Sequence, residues 1–208
     1  MEIIGLNEEK IKQISKMKQE DPTILDYRLK CYNKFKELGL PSFGPKINID
    51  FDKVKYYKNN LDNNIKNDWN NIENQVKDEF NDLGVISSEK YLDGIGVQYQ
   101  SEVIYHNMLK ELNDKNVIFT SIENAMKKYP ELVNKYFSKI VSPSENKFTA
   151  LNGAVFSGGS FIYIPKNTKL DRPLQSYFRI NSKDLGQFER TLIVVDDNSE
   201  LHYIEGCT

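Results

Sequence analysis

After Pro143 the spacing of apolar residues changes from the three-and-four rhythm of a helix to strict alternation, which commits the remaining chain to strands. Residues 161–164, 174–181, 191–195 and 201–205 are each bounded by Gly, Pro, Asn or Asp, a strand–turn–strand pattern. Within it, Ile162-Tyr-Ile-Pro-Lys-Asn-Thr-Lys-Leu170 aligns with Ile193-Val-Val-Asp-Asp-Asn-Ser-Glu-Leu201 at an offset of 31, matching apolar, Asn, Thr/Ser and Leu positions. A fixed period of that size suggests stacked β coils. A meander or a sandwich accounts for the same signals.

Upstream, Ile11, Ile14 and Met17, then Ile24, Tyr27, Cys31 and Phe35, recur at helical spacing and predict two short amphipathic helices. Asp21 before Pro22 opens the second, and Gly39 with Pro41 ends it. An extended piece is expected at 47–57, and the Asn- and Asp-rich stretch 61–74 reads as a loop or mobile linker. Helical spacing returns at Ile72, Val76 and Phe80, across 103–112 and across 121–140, with a short strand at 117–120 and a break at Tyr129-Pro130. The expected organisation is a mainly helical region over 1–140 followed by a β-rich region over 141–208.

Charge excludes some functions. The 28 basic and 30 acidic residues nearly cancel to a net charge of −2, so there is no broad basic field to hold nucleic acid. The longest apolar runs, such as 192–195, fall far short of the roughly 20 residues a bilayer span needs. Residues 1–20 lack an apolar signal core, and the chain reads as cytoplasmic, with no membrane partner.

Chemistry-bearing residues are few. Cys31 and Cys207 form no CxxC-type pair, and only His106 and His202 accompany them as nitrogen ligands. Cys31 lies on the apolar stripe of Tyr27 and Phe35 and reads as core filler. On the strand at 174–181, alternation puts Leu174, Ser176, Phe178 and Ile180 on one face and Gln175, Tyr177, Arg179 and Asn181 on the other. In the last strand Leu201, Tyr203, Glu205 and Cys207 share a face. No histidine base lies there and Glu205 raises the thiol pKa, so Cys207 is no activated nucleophile. It is either a small apolar filler or a soft ligand for iron or sulfane sulfur. Ser157-Gly-Gly-Ser160 lacks the Lys-Ser/Thr of a phosphate loop, and Gly94-Ile-Gly96 misses the third glycine of a dinucleotide fingerprint. His106 reads as a surface or satisfied core residue.

Several ordered motifs then coincide. Phe148-Thr-Ala-Leu-Asn152, Phe156-Ser-Gly-Gly-Ser-Phe-Ile-Tyr-Ile-Pro-Lys166, Pro173-Leu-Gln-Ser-Tyr-Phe-Arg-Ile-Asn181, Gly186-Gln-Phe-Glu-Arg-Thr-Leu192 and His202-Tyr-Ile-Glu-Gly-Cys-Thr208 resemble the signature run of the SufB family. Tyr91-Leu-Asp-Gly-Ile-Gly-Val-Gln-Tyr99, Ser101-Glu-Val-Ile-Tyr-His-Asn107 and Tyr129-Pro-Glu-Leu-Val133 are similar to it as well. SufB proteins are scaffold subunits of the Suf iron–sulfur assembly machinery.

The resemblance implies an α+β fold, in which an N-terminal helical region leads into the first coils of a right-handed parallel β-helix. It implies a scaffold rather than an enzyme, building nascent iron–sulfur clusters with the ATPase SufC and the paralogue SufD, while a cysteine desulfurase system supplies sulfur. By the same resemblance, Cys207 accepts sulfur or ligates the nascent cluster, and Arg179 and Asn181 line the β-helix interior along the sulfur path. Family members run to more than twice this length, so the expectation is a truncated β-helix: a fragment, a broken gene or one piece of a split scaffold. A SufD-like structural partner without its own cluster site, or a non-functional truncated fragment, is the alternative. A β-helix polysaccharide lyase ranks far behind, because no carboxylates or metal ligands cluster on one face of the sequence pattern.

Overall fold

The computed structural model describes residues 1–59 and 65–208, so part of the expected linker at 61–74 lies outside the described residues. Strand β1 (Glu2–Ile4) precedes helix α1 (Glu8–Met17), which Asn7 caps by accepting the Lys10 N–H. Helix α2 (Pro22–Glu37) starts where the Asp21-Pro22 pair predicts, with the Asp21 carboxylate accepting the Thr23 N–H. Strand β2 (Lys55–Lys58) returns antiparallel to β1, with Ile3 opposite Tyr57. The stripe from α1 and α2 (Ile11, Ile14, Cys31 and Phe35) packs with Tyr56 and Tyr57 into one core cluster.

Helix α3 (Asn74–Asp82) follows, then strands β3 (Gly94–Tyr99) and β4 (Glu102–Met108), an antiparallel hairpin with a bulge after Val97. This corrects the helical expectation across 103–112. Ile104 and Tyr105 are buried beside each other because β4 shifts register at the bulge, and only α4 (Lys110–Asp114) is helical there. Strand β5 (Ile118–Ser121), α5 (Ile122–Lys128) and α6 (Pro130–Tyr136) fall where the short strand and the Tyr129-Pro130 break are expected.

A further helix, α7 (Lys147–Val155), stands beyond Pro143, where strands alone were expected. Asn146 and Thr149 close a capping box, and Ala150, Gly153 and Ala154 let the helix lie close against α2. A Cβ on Gly153 would meet the Cys31 Sγ at 2.6 Å.

Strands β6 (Ser160–Ile164), β7 (Leu174–Arg179), β8 (Leu192–Val195) and β9 (Tyr203–Cys207) match the predicted segments closely. The chain alternates between two sheets, ordered β4-β3-β7-β9 and β5-β6-β8. Strand β8 pairs parallel to β6 with Ile162 beside Ile193, the register that the 31-residue echo predicts. Asn167 and Asn198 both take left-handed backbone at their turns, φ 60° and 57°, and Asn198 Nδ2 donates to Asn167 Oδ1 at 3.1 Å. The echo is therefore one turn built twice and stacked.

In the other sheet β9 pairs parallel to β7, with Leu174 beside Tyr203, so the first pass carries two more residues at its second corner. That corner holds Arg172, whose backbone N–H and Nε reach the Asp93 carboxylate at 3.2 and 2.9 Å. Between the sheets Ile162, Ile164, Leu174 and Phe119 form a core, and Ser160 meets Ser176 at 2.6 Å. On the opposite face of the four-stranded sheet, Ile95 and Val97 pack under α3 with Val76 and Phe80.

Candidate functional site

Alternation along β9 fixes which of its side chains share a face. Tyr203, Glu205 and Cys207 stand beside Leu174, Ser176 and Phe178, the residues of β7 that point between the sheets. No strand among the described residues pairs with the free edge of β9, so Glu205 and Cys207 are exposed at the rim of this space.

The loop before β8 brings a third donor. Oxygens of Glu189 and Glu205 and the Cys207 sulfur all lie within 4.8 Å of one another. Glu205 Oε2 accepts from Tyr203 Oη at 2.9 Å and from Thr191 Oγ1 at 3.3 Å. Glu189 Oε2 is sealed from solvent and has no hydrogen-bond partner. Glu189 also lines an open groove of about 790 Å³ with Arg190 and Ile193.

The electrostatics follow from burial and from like charge. Burial, then the Glu205 carboxylate, raise the Glu189 pKa. Burial, then Glu189 and Glu205, push the Cys207 thiol up. The thiol is thus held protonated, unlike an activated nucleophile, and a cation arriving between the three groups would reverse that preference. A mixed sulfur and carboxylate set offers ligands to a borderline metal.

Arg179 and Asn181 are placed elsewhere. Arg179 follows Phe178 on β7 and so projects to the sheet face covered by α3, where its Nε donates to Glu79 Oε2 at 3.1 Å. Asn181 Nδ2 donates to Glu79 Oε1 at 2.9 Å. Strand alternation sends Arg179 and Cys207 to opposite faces of one sheet. Cys31 is buried against α7, as its stripe position predicts, and burial raises its pKa.

Two residues escaped the sequence reading. Glu189 stands within a quoted motif, but only the loop's fold brings it to Cys207. Lys18, at the end of α1, is buried with its Nζ 3.0 Å from Glu102 and 2.9 Å from Glu123. Burial lowers its pKa, yet the two carboxylates outweigh that and hold it above its ordinary value. No helix among the described residues is long and apolar enough to cross a membrane.

Two sheets threaded by successive parallel passes, with one cysteine and two carboxylates at their rim, set the class of protein: a two-sheet α+β chain whose outermost strand carries an exposed cysteine. Comparison with known proteins gives that class a family. A family profile described as the SufBD protein N-terminal region matches residues 2–176, and the chain belongs to the SufBD family. It is 48% identical over 206 residues to an iron–sulfur cluster assembly SufBD family protein of Staphylococcus saprophyticus, covering 98% of this chain and 44% of the relative. A protein of the same description from Staphylococcus aureus MRSA252 is also 48% identical over 206 residues, with the same coverage. One from Staphylococcus epidermidis is 47% identical over 206 residues. The chain spans less than half the length of these curated relatives.

Proposed function

We propose that this chain is part of a SufB-type scaffold for iron–sulfur cluster assembly. In this reading the cluster is its cargo, and Cys207 accepts sulfane sulfur or ligates the nascent cluster. The parallel passes through β6–β7 and β8–β9 are then the first coils of a right-handed parallel β-helix. SufC and SufD are its partners, a cysteine desulfurase system is its sulfur donor, and the machinery works in the cytoplasm. The role is assembly rather than catalysis, with ATP hydrolysis belonging to SufC.

The observation that carries the reading is the position of Cys207, facing between the sheets, exposed, and flanked by two carboxylates. Incubation with a persulfide-charged desulfurase tests it. The Cys207 thiolate attacks the outer sulfur, the donor's thiolate leaves, and the scaffold gains one sulfur atom. Intact-mass analysis is expected to find that increment on the parent chain and to lose it in Cys207→Ser. Equal loading of the variant, or none of either, overturns this reading and leaves the SufD-like structural role.

A further inference from the structure

We propose that one water molecule is built into the space between the two sheets, in the gap left by Gly96, where it bonds to His106 Nε2 and to the Ser160–Ser176 pair. Strand register places the site. In the four-stranded sheet β4, β3, β7 and β9 set His106, Gly96, Ser176 and Glu205 side by side in one row. In the facing sheet Ser121 of β5 stands opposite Ser160 of β6, and Ser160 meets Ser176 at 2.6 Å. The three serines are buried, so a polar layer crosses an otherwise apolar interior. Gly96 is the one member of this layer without a side chain. A cavity of about 10 Å³ opens there, lined among others by Gly96, His106, Ser121, Ser160 and Ser176, with roughly the room that one water needs.

The polar atoms around the gap call for such a guest. His106 Nε2 is sealed from solvent without a hydrogen-bond partner, whereas buried polar atoms are nearly always satisfied. The ring turns that edge to the gap: a Cβ on Gly96 would lie 3.6 Å from His106 Cδ2, the carbon bonded to Nε2, and 3.6 Å from Ser176 Oγ. The bond between Ser160 and Ser176 occupies one lone pair of the two hydroxyls and leaves others to accept. Ser121 Oγ accepts the Asn124 N–H at 3.2 Å, which leaves its own hydrogen to donate. An imidazole nitrogen, a hydroxyl acceptor and a hydroxyl donor are the kind and number of partners that a buried water uses. Being neutral, the water satisfies the imidazole without favouring its protonated form. The site lies one row inside the sheet from Glu205 and does not depend on Cys207 as a ligand.

Gly96→Ala tests it by the sign of its effect. The new methyl would stand at 3.5 Å from Phe119 and 3.6 Å from His106 and Ser176, ordinary contact distances, so it fits without a clash. In a dry cavity it would fill a void and replace a flexible glycine within a strand, and stability would rise. In the hydrated site it takes the water's place and strands His106 Nε2 and the hydroxyls. Urea unfolding of the full 208-residue chain is therefore expected to show the folding constant falling about tenfold. Water-selective NOE and ROE spectra of the labelled parent chain are expected to show cross-peaks from water to the Gly96 α-protons and to His106 Hδ2. Their sign should be that of a long-lived buried water rather than of surface water, and in Gly96→Ala the His106 cross-peak should vanish. A gain of stability in Gly96→Ala overturns the site. So does a parent chain without the long-lived cross-peaks, an outcome that stands whether or not the variant folds.

Discussion

Arg28 lies wholly buried with its guanidinium clamped on Glu20, Nε donating to Oε2 at 2.7 Å and Nη2 to Oε1 at 2.5 Å. Its remaining N–H groups reach the carbonyls of Ala154 and Phe156 at 3.1 and 2.9 Å, and the guanidinium sits 3.9 Å over the Phe156 ring. One side chain thus ties the α1–α2 turn to the end of α7, just before β6. Removing one member of such a pair leaves the other buried and uncompensated, so Arg28→Met is expected to cost about 3–5 kcal/mol. Arg28→Lys cannot rebuild the fork and should recover little of it. Urea unfolding measures both, and a loss below about 1 kcal/mol for Arg28→Met would show that the clamp is dispensable.

Gly153 sets how closely α7 approaches α2. A methyl there would sit 2.6 Å from Cys31 Sγ, so Gly153→Ala alone is expected to destabilise by about 1–3 kcal/mol despite its better helix propensity. Cys31→Ala removes the obstructing sulfur, and the double variant should recover most of that loss. Additive losses in the double-mutant cycle would mean that Cys31 is not what the methyl meets.

The strands beyond Pro143 were legible because each is short, bounded by turn residues and alternates between two environments. The 31-residue echo was legible because Asn167 and Asn198 occupy the same left-handed turn position. The β3–β4 hairpin was not. Residues of β3 are buried on both faces, which erases alternation, and the bulge in β4 puts Ile104 and Tyr105 both inside. Helix α7 was missed for a related reason: Ala150, Leu151, Gly153, Ala154 and Val155 are buried around most of its circumference and leave no polar stripe. Of the site, the shared face of Glu205 and Cys207 could be read from alternation, whereas Glu189 arrives on a loop whose path no periodicity encodes.

His106 gives the stability a pH dependence. The residue is only partly buried, but its Nε2 is sealed without a partner and its ring packs on Phe119 at 4.6 Å. Burial lowers its pKa from the ordinary 6.5 to about 4. A base with a depressed folded pKa contributes its full stability above the unfolded value and loses it as pH falls. Between pH 6.5 and 4 the unfolded chain takes up a proton that the folded chain refuses, at a cost of at most about 3 kcal/mol. His106→Phe keeps the ring and removes the titration, so parent and variant should diverge across that window in urea unfolding. Parallel pH profiles would show that His106 already finds a proton acceptor in the fold.

The opposed faces of Arg179 and Cys207 allow the last placement to be tested by thiol chemistry. Burial, Glu189 and Glu205 together hold the Cys207 thiol above its usual pKa, and reaction with iodoacetamide requires the thiolate. Glu205→Gln removes one opposing charge from the same face and should speed alkylation at neutral pH by about threefold to tenfold. Arg179→Ala removes a cation that lies across the sheet and is already engaged by Glu79, so the alkylation rate should hold. Were Arg179 instead pointing between the sheets beside the sulfur, its loss would raise the thiol pKa further and slow the reaction. A slowed Arg179→Ala variant with an unaltered fold by circular dichroism would therefore put the arginine on the cysteine's side of the sheet and overturn the alternation described for β7.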